Sequence, residues 1–226
     1  TDFISNIFRR LVAVCLKHDA VPIGGMATAL PDKDPEVNEV AAASIEADKQ
    51  WEAQQGFLRG WVAHIFHMKT AADPFKDLHN TGWKPSEKMK DPGLYPVKLE
   101  TPEGPITLEG TRRNIRTMIE YVEGWMAGRG AKGIDSLEGR DGVHPRLMED
   151  LATARISVAQ TAQRIIYSSV DSESGQTHDI GLVNDIVNSE LEDILTLRNK
   201  EGIDSVSSAR YRKAASVTQH WIKNYT

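Results

Sequence analysis

The sequence has little of what a secreted or membrane protein requires. Its 226 residues include one cysteine, Cys15, so no disulfide can form within the chain and a reducing compartment is expected. It contains no apolar run of about 18 residues, so we expect no membrane span and no membrane partner. Lys and Arg number 27 against 32 Asp and Glu and form no block, which argues against nucleic-acid binding. What remains is a globular protein, 40% hydrophobic, that is long enough to bury a core.

Strong motifs for nucleotides, metals or nucleophilic catalysis are also missing. Gly24-Gly25-Met26 lacks the spacing of phosphate-binding loops, and its glycines are better explained by a turn or by the close approach of another group. His64 and His67 could present two imidazoles to zinc, but no third ligand stands at a recognisable spacing. Cys15 is predicted to be a small buried hydrophobe rather than a nucleophile.

The first 70 residues predict alternating helices and strands. Apolar residues recur at helical spacing over residues 3–16, and a short apolar run, 20–23, leads into the paired glycines. Pro35 opens a second helix that is predicted to reach about Gln55, and residues 61–63 form a second strand candidate. This order, α, β, α, β, is typical of parallel βα units.

A proline-rich segment follows. Residues 73–105 carry six of the ten prolines, which predicts an irregular connection with a short hairpin around 95–106. Long connections of this kind are usually functional or join two domains. We therefore expect barrel-like βα units over 1–72, a connection over 73–106 and a separate helical domain over 107–226.

The last 120 residues predict four helices. The first starts at Thr107 and ends before Gly128, and the later ones cover about 150–167, 182–195 and 207–225. Asp150 is a suitable N-cap for the second of these helices, whose inward residues are predicted to be Ile156, Ala159 and Ile166. On this basis alone, Glu149-Asp150 is a helix cap with an acidic neighbour favoured by the helix dipole.

Several of these segments together resemble the malate synthase family. The resemblance is in order and spans nearly the whole chain, and its most specific part is the run from Leu147 to Ser157. The other segments that carry it are Ala20–Ala27, Asp34–Glu39, Glu46–Glu52, Gly60–His64, Ile106–Gly110, Asn114–Arg116 and Tyr121–Trp125.

This resemblance implies a fold class and a reaction. The fold class is α/β: the C-terminal part of a TIM (β/α)8 barrel followed by an all-helical C-terminal domain. The family condenses acetyl-CoA with glyoxylate and water to give malate and CoA in the glyoxylate cycle, using Mg²⁺. By resemblance, the partners of this chain would be acetyl-CoA, glyoxylate and the upstream half of the barrel, with no nucleic acid and no membrane.

The resemblance also assigns residues. Asp150 corresponds to the carboxylate that removes a proton from the acetyl-CoA methyl group. Met26, Trp61, Ala63 and Met148 correspond to positions that line the acetyl-CoA channel, where soft apolar side chains suit the thioester and the pantetheine arm. No metal ligand is assigned within the chain, because the family's catalytic arginine and its metal-binding Glu and Asp lie upstream of the first residue here.

Two departures and two alternatives accompany the resemblance. Ile65-Phe66 stands where the family commonly has Pro-Gly, which puts the shape of the channel in doubt, and residues 139–146 look like extra length. We expect a piece of a longer chain that is inactive by itself. One alternative is a split or degenerate homologue acting as a non-catalytic binding subunit; the other is an unrelated helical interaction module. A cytoplasmic location is expected, with the peroxisome or glyoxysome as the alternative.

Overall fold

The computed structural model describes residues 2–99 and 104–225. The packing of these residues divides into two compact units. Unit 1 comprises residues 2–99 with 143–145, and unit 2 comprises residues 104–142 with 146–225. No helix within the described ranges is long and apolar enough to cross a membrane.

Unit 1 alternates helices and strands in the predicted order α, β, α, β. Short 3₁₀ turns occur at Ile65–His67, Glu87–Lys90 and Pro92–Leu94. The principal elements are α1 (Asp2–Lys17), β1 (Ile23–Ala27), α2 (Pro35–Gln55), β2 (Arg59–Val62) and α3 (Met68–Asn80).

The two strands of unit 1 pair in parallel, with α2 between them in the chain. Ile23 lies opposite Arg59, and Met26 lies opposite Trp61, so β1 has one residue more than β2 between these pairs. This irregularity falls at the paired glycines. The first strand begins three residues later than the apolar run predicts, because Pro22 cannot donate a hydrogen bond to a sheet ladder. In the described part of unit 1 the sheet has two strands and does not close into a barrel.

The ends of α2 agree with the sequence prediction. The Asp34 side chain accepts a hydrogen bond from the Glu36 amide at 2.9 Å, and Pro35 occupies the first turn. Gly56 ends the helix with φ of 102°, the left-handed conformation that glycine adopts without a steric cost. Local capping chemistry therefore fixes both ends of this helix.

Helix α3 corrects the prediction of irregular structure from residue 73 onward. It continues to Asn80 with Pro74 inside it. Phe75 and Leu78 continue an apolar stripe that the proline conceals, and proline within a helix costs one hydrogen bond rather than forbidding the helix. The predicted hairpin around 95–106 is not formed by residues 95–99 or 104–106, and its centre, 100–103, lies outside the described residues.

Unit 2 is a helical bundle with a small antiparallel ladder. Its prediction as all-helical is therefore wrong in one detail, since two strands of three residues each are too short to leave an alternating pattern in the sequence. The elements are α4 (Leu108–Met126), β3 (Lys132–Ile134), β4 (Leu147–Glu149), α5 (Leu151–Ile166), α6 (Ile180–Lys200) and α7 (Ser205–Lys223).

The core of unit 2 forms around α4. Ile115, Met118 and Ile119 are fully buried there, as their spacing predicts. Helix α5 differs from its prediction, because Ile156 and Ile166 are 58% and 61% exposed. Its buried face consists mostly of small side chains, which allow a close approach to α4: Ala154, Ser157, Val158, Thr161 and Ala162.

Helix α1 also turns a different face inward from the one predicted. Ile4, Ile7 and Leu11 are all more than two-fifths exposed, whereas Val12 and Ala13 are buried. Cys15 is only partly buried, so its predicted burial is not complete. Three residues of the predicted apolar stripe thus lie outside the core of unit 1, whereas Phe8 packs against the buried Phe57.

Candidate functional site

The ends of β1 and β2 bring together three of the residues predicted to bind acetyl-CoA. Met26 and Trp61 are neighbours across the parallel ladder and are 38% and 58% exposed. Ala63 follows β2, and its amide donates a hydrogen bond to the Ala27 carbonyl at 2.8 Å. In parallel α/β folds ligands bind at this carboxyl end of the strands.

A buried ion pair beneath β1 explains the paired glycines. The Gly25 amide donates to Glu52 Oε1 at 2.8 Å, and Lys49 Nζ donates to the Gly25 carbonyl at 2.7 Å. A Cβ atom on Gly24 would lie 2.1 Å from Glu52 Oε2. The glycines therefore admit a carboxylate, as the prediction of a close approach requires. They do not form a phosphate loop, because that carboxylate already takes the Gly25 amide and would repel an anion.

The Lys49–Glu52 pair was not predicted from the sequence. Both residues are on α2 with Nζ and Oε1 2.9 Å apart, and they are 0% and 3% exposed. The signal was present, since Lys49 continues the buried spacing of Ala41 and Ile45 along the helix. A charged residue in an inward stripe indicates a buried partner.

In unit 2, Asp150 caps the start of α5. Its backbone is extended, with φ of −125° and ψ of −172°, and its Oδ1 accepts hydrogen bonds from the amides of Ala152 at 2.9 Å and Thr153 at 3.2 Å. The predicted N-cap is thereby confirmed. The side chain is exposed, so the carboxylate is both oriented by the helix and open to a ligand.

The residue before this cap belongs to the β3–β4 ladder. Met148, the remaining predicted acetyl-CoA contact, lies opposite Gly133 and is partly buried. Glu149 lies opposite Lys132, and burial raises the pKa of its carboxyl, with a further increase from the charge of Asp150. Asp150 is thus held between a strand and a helix.

Two other aspartates of unit 2 also cap helices, each through one amide rather than two. Asp179 Oδ1 accepts from the Leu182 amide at 2.8 Å, and Asp204 Oδ1 accepts from the Ser207 amide at 2.7 Å. Capping alone therefore does not distinguish Asp150. What distinguishes it is the strand that directly precedes it, and these two caps provide matched controls for any substitution of Asp150.

The histidine pair does not assemble a metal site. His64 is exposed, and its Nδ1 accepts the Phe66 amide at 3.2 Å, whereas His67 is buried. Burial, assisted by His64, lowers the pKa of His67 and favours its neutral form. Within 2–99 and 104–225 there is no group of three or more His, Cys, Asp or Glu side chains that could hold a metal ion. The described residues therefore offer no set of three side chains that would fit a zinc site.

The two departures from the family pattern have definite positions. Ile65 and Phe66 are 73% and 57% exposed just after β2, so they add apolar surface beside Trp61 and Ala63. In the 139–146 segment, Arg140 bonds Glu109 Oε1 at 3.3 Å and Glu190 Oε1 at 3.4 Å. Arg140, within this additional segment, therefore contacts two helices of the bundle, α4 and α6.

A network of buried charges crosses unit 2, and the sequence did not predict it. Four acidic or basic side chains of α4 and α6 are at most 3% exposed: Arg116, Glu120, Glu123 and Glu190. Burial opposes ionisation of Glu120 and Glu123, but nearby cations outweigh it and lower both pKa values. The groups that contact these residues from other elements and loops include Lys132, Glu138, Arg198, Arg210 and Tyr211.

These features define an α/β protein with a ligand-accessible strand end and a helical unit that carries an oriented carboxylate. Comparison with known families adds the identity of the class. Residues 1–92 match the family described as malate synthase, TIM barrel domain, and residues 105–225 match malate synthase, C-terminal. The chain belongs to the malate synthase family.

Individual relatives agree with this assignment. The chain is 30% identical over 220 residues to malate synthase A of Escherichia coli, covering 96% of this chain and 39% of that protein. It is 32% identical over 211 residues to a malate synthase of Streptomyces clavuligerus, covering 90% and 36%. A glyoxysomal malate synthase of Brassica napus is 30% identical over 221 residues, covering 95% and 37%. The chain thus spans less than two-fifths of the length of these relatives.

Proposed function

We propose that this chain is the C-terminal part of a malate synthase, which condenses acetyl-CoA with glyoxylate and water to give malate and CoA in the glyoxylate cycle. The observation that carries the proposal is the placement of Asp150. Its carboxylate is exposed and held at the start of α5 by two backbone amides, within the region that matches the C-terminal domain family of malate synthase.

In this proposal Asp150 is the catalytic base. It removes a proton from the methyl group of acetyl-CoA, and the resulting enolate attacks the aldehyde carbon of glyoxylate to form a carbon–carbon bond. Hydrolysis of the malyl-CoA thioester then releases malate and CoA. Because a thioester methyl is a weak acid, a fixed base contributes mainly by proximity and orientation. The two hydrogen bonds that backbone amides donate to Oδ1 provide that orientation.

We assign the acetyl-CoA contacts to Met26, Trp61, Ala63 and Met148. The first two are exposed neighbours at the carboxyl end of a parallel strand pair, which suits an apolar acyl and pantetheine arm. Met148 lies two residues before the base. The exposed Ile65 and Phe66 would extend the same apolar surface.

The upstream half of the barrel is the proposed partner of unit 1. The β1–β2 sheet has two strands where a closed TIM barrel has eight, and unpaired strand edges favour association with further strands. We assign to that half the catalytic arginine and the ligands of Mg²⁺, which supplies Lewis-acid chemistry when bound. The isolated 226 residues are therefore expected to be inactive.

The test is a chimaera in which this chain replaces the matching C-terminal part of the Escherichia coli relative. We expect the chimaera to release CoA from acetyl-CoA and glyoxylate with Mg²⁺, as measured with a thiol reagent, and the isolated chain to release none. Asp150→Asn should reduce kcat by about a hundredfold or more, the scale of a lost general base. Asparagine is also a good N-cap, so the helix start is preserved.

Matched controls separate chemistry from folding. Asp179→Asn and Asp204→Asn make the same change at caps of the same unit, and both should retain activity. A folded chimaera without CoA release, or an Asp150→Asn chimaera with full activity, would overturn the proposal. The first outcome would support a non-catalytic binding subunit instead.

The compartment is proposed as the cytoplasm, with the glyoxysome as the alternative. The plant relatives from Brassica napus, Gossypium hirsutum and Glycine max are named as glyoxysomal proteins, whereas the bacterial relatives have no such word in their names. Fractionation of cells that express the protein from its native gene would distinguish the two locations, since one predicts malate synthase antigen in the supernatant and the other in sedimentable organelles.

A further inference from the structure

Lys132 connects the backbone that precedes Asp150 to the interior of unit 2. It lies on β3, opposite Glu149 of β4, and is thus paired with the residue directly before the base. Its ammonium group lies 2.5 Å from Glu120 Oε2 and 2.8 Å from Glu123 Oε2, and its side chain is 10% exposed. Burial would lower the pKa of Lys132, but the two carboxylates outweigh it and raise that pKa.

The groups that receive Lys132 are themselves fixed. Arg198 Nη2 lies 3.0 Å from Glu120 Oε1, and Arg210 Nε lies 3.0 Å from Glu123 Oε1. The Tyr211 hydroxyl contacts Lys132 Nζ at 3.1 Å. A fixed set of acceptors on α4 and α7 therefore defines where the ammonium group can lie.

Space for the lysine stem is also provided. A Cβ atom on Gly124 of α4 would lie 2.9 Å from Lys132 Cδ, closer than real Cβ contacts. Glycine in the middle of a helix costs stability, so its presence here needs a packing reason. That reason is the passage of the Lys132 side chain across α4.

The β3–β4 ladder is short. Each strand has three residues, which is too short to be stable without packing against a larger structure. Ile134 is buried and lies two residues after Lys132, so the two side chains point to the same side of β3. One ionic and one apolar anchor thus hold β3 against the bundle.

Buried ion pairs are weak stabilisers by themselves, because desolvation of the charges offsets their attraction. Their best-supported use is to define a unique geometry. We propose that Lys132 is a positioning residue for Asp150: it fixes the β3–β4 ladder to α4 and so sets the point at which α5 begins. The proposal rests on the assignment of Asp150 as the base, and Lys132 itself does not contact the reacting atoms.

The first test uses amide hydrogen exchange in the 226-residue chain. Lys132→Met keeps the length of the stem and removes the charge. We expect protection of the amides in 132–134 and 147–149 to fall about tenfold more than protection of the amides in the α4 core. The control is Arg116→Met, which removes another largely buried cation whose partners, Glu190 and Glu138, lie outside the ladder. In that variant ladder and core protection should fall together.

The second test measures catalysis in the chimaera. Lys132→Met should lower kcat about tenfold or more with little change in KM for acetyl-CoA, and Lys132→Arg should recover part of it. Here kcat is expressed per mole of folded enzyme, determined by circular dichroism, so that loss of stability alone would leave it unchanged. Equal exchange losses in ladder and core for Lys132→Met, or an unchanged kcat, would overturn the proposal.

A milder variant keeps the proposal testable if Lys132→Met does not fold. Tyr211→Phe removes the hydroxyl that contacts Lys132 and Glu120 but keeps the ring, and it should loosen the ladder about threefold relative to the core. A ladder that stays fully protected in this variant would count against the proposal. If Asp150→Asn leaves activity intact, the proposed function fails, while the exchange experiment still decides whether Lys132 anchors the ladder.

Discussion

The two units of this chain differ sharply in how they bury large apolar side chains. Among the described residues, unit 1 fully buries only three hydrophobic residues larger than alanine, Val12, Ile45 and Phe57, whereas unit 2 buries fourteen. Unit 1 also leaves twice as many large hydrophobic residues exposed, sixteen against eight. Burial of apolar surface is the main favourable contribution to folding. Unit 2 therefore gains much more stabilisation from its own core than unit 1 does.

This difference indicates where each unit depends on other surfaces. The α4-centred core of unit 2 is continuous, and its charged groups are paired around it. In unit 1 four of the exposed residues lie on one side of α1 and others lie on or beside the paired strands, and large exposed apolar areas are typical of interaction surfaces. Such a distribution fits the proposed partnership with the upstream half of a barrel.

The largest expected effect tests the core of unit 2 against the surface of unit 1. Ile119→Ala removes a fully buried side chain and should lower the free energy of unfolding by about 2–5 kcal/mol, since a cavity remains. Ile4→Ala makes the same chemical change at a residue that is 50% exposed and should cost less than about 1 kcal/mol. Denaturant titration followed by circular dichroism measures both. Similar losses would contradict the contrast between the units.

A second experiment asks whether unit 1 is well packed anywhere. Gly24→Ala would place a methyl group 2.1 Å from Glu52 Oε2 and should cost about 1–3 kcal/mol through overpacking beneath β1. Gly130→Ala is the control, because nothing lies within 4 Å of a Cβ at that position. If the two variants melt at the same temperature, the Lys49–Glu52 pair does not pack tightly against β1.

A third experiment follows the acid stability of unit 2. Hydrogen bonds from the Ser174 hydroxyl and amide, at 2.5 and 2.6 Å, and from the Leu108 amide lower the pKa of Asp171 to about 2 from 3.8. Because the folded-state value is the lower one, this stabilisation is present above about pH 4 and is lost as the pH falls towards 2.

Asp171→Asn should therefore weaken the chain at pH 6 and flatten the decline in its denaturant midpoint between pH 4 and pH 2.5. The exposed Asp185→Asn serves as the control and should keep the decline of the original chain. An unchanged slope in Asp171→Asn would show that this carboxylate does not contribute to acid unfolding.

The smallest expected change in stability concerns the exposed stripe of α1. Leu11→Gln, at a residue 47% exposed, should alter the free energy of unfolding by less than about 0.5 kcal/mol while reducing self-association of the isolated chain. Val12→Gln, one position along, buries a polar group and should destabilise unit 1. Light scattering measures the association. If the Leu11→Gln chain self-associates as strongly as the original chain, the exposed stripe of α1 is not the surface through which the chain associates.

Much of the fold could be predicted because local chemistry sets the ends of its elements. Asp34 and Gly56 fix α2, and Asp150 fixes the start of α5, through hydrogen bonds that involve neighbouring residues only. The inward side of α5 could not be predicted in the same way. Its burial depends on how closely it approaches α4, which selects small residues such as Ala154 and Ser157 rather than the more hydrophobic Ile156.

The site was predictable only where the resemblance named residues. The predictions of Met26, Trp61 and Asp150 came from family motifs, and all three side chains are exposed in the structure. The buried charges of unit 2 could not be predicted, because a lysine such as Lys132 carries no local mark of burial. Its partners, Glu120 and Tyr211, lie 12 and 79 residues away in the chain, so only tertiary packing brings the three together.

The extra residue in β1 has a consequence for which way its side chains face. If the pairing continued regularly from Ile23 and Arg59, Gly25 would lie opposite Trp61 and Met26 opposite Val62. The added glycine interrupts the alternation of side chains along β1. Residues after it therefore face the side of the sheet opposite to the one that strict alternation from Ile23 predicts. A pattern based on strict alternation would thus misassign everything beyond Gly25. The number of glycines between Ile23 and Met26, as much as their flexibility, therefore places Met26 rather than Gly25 opposite Trp61.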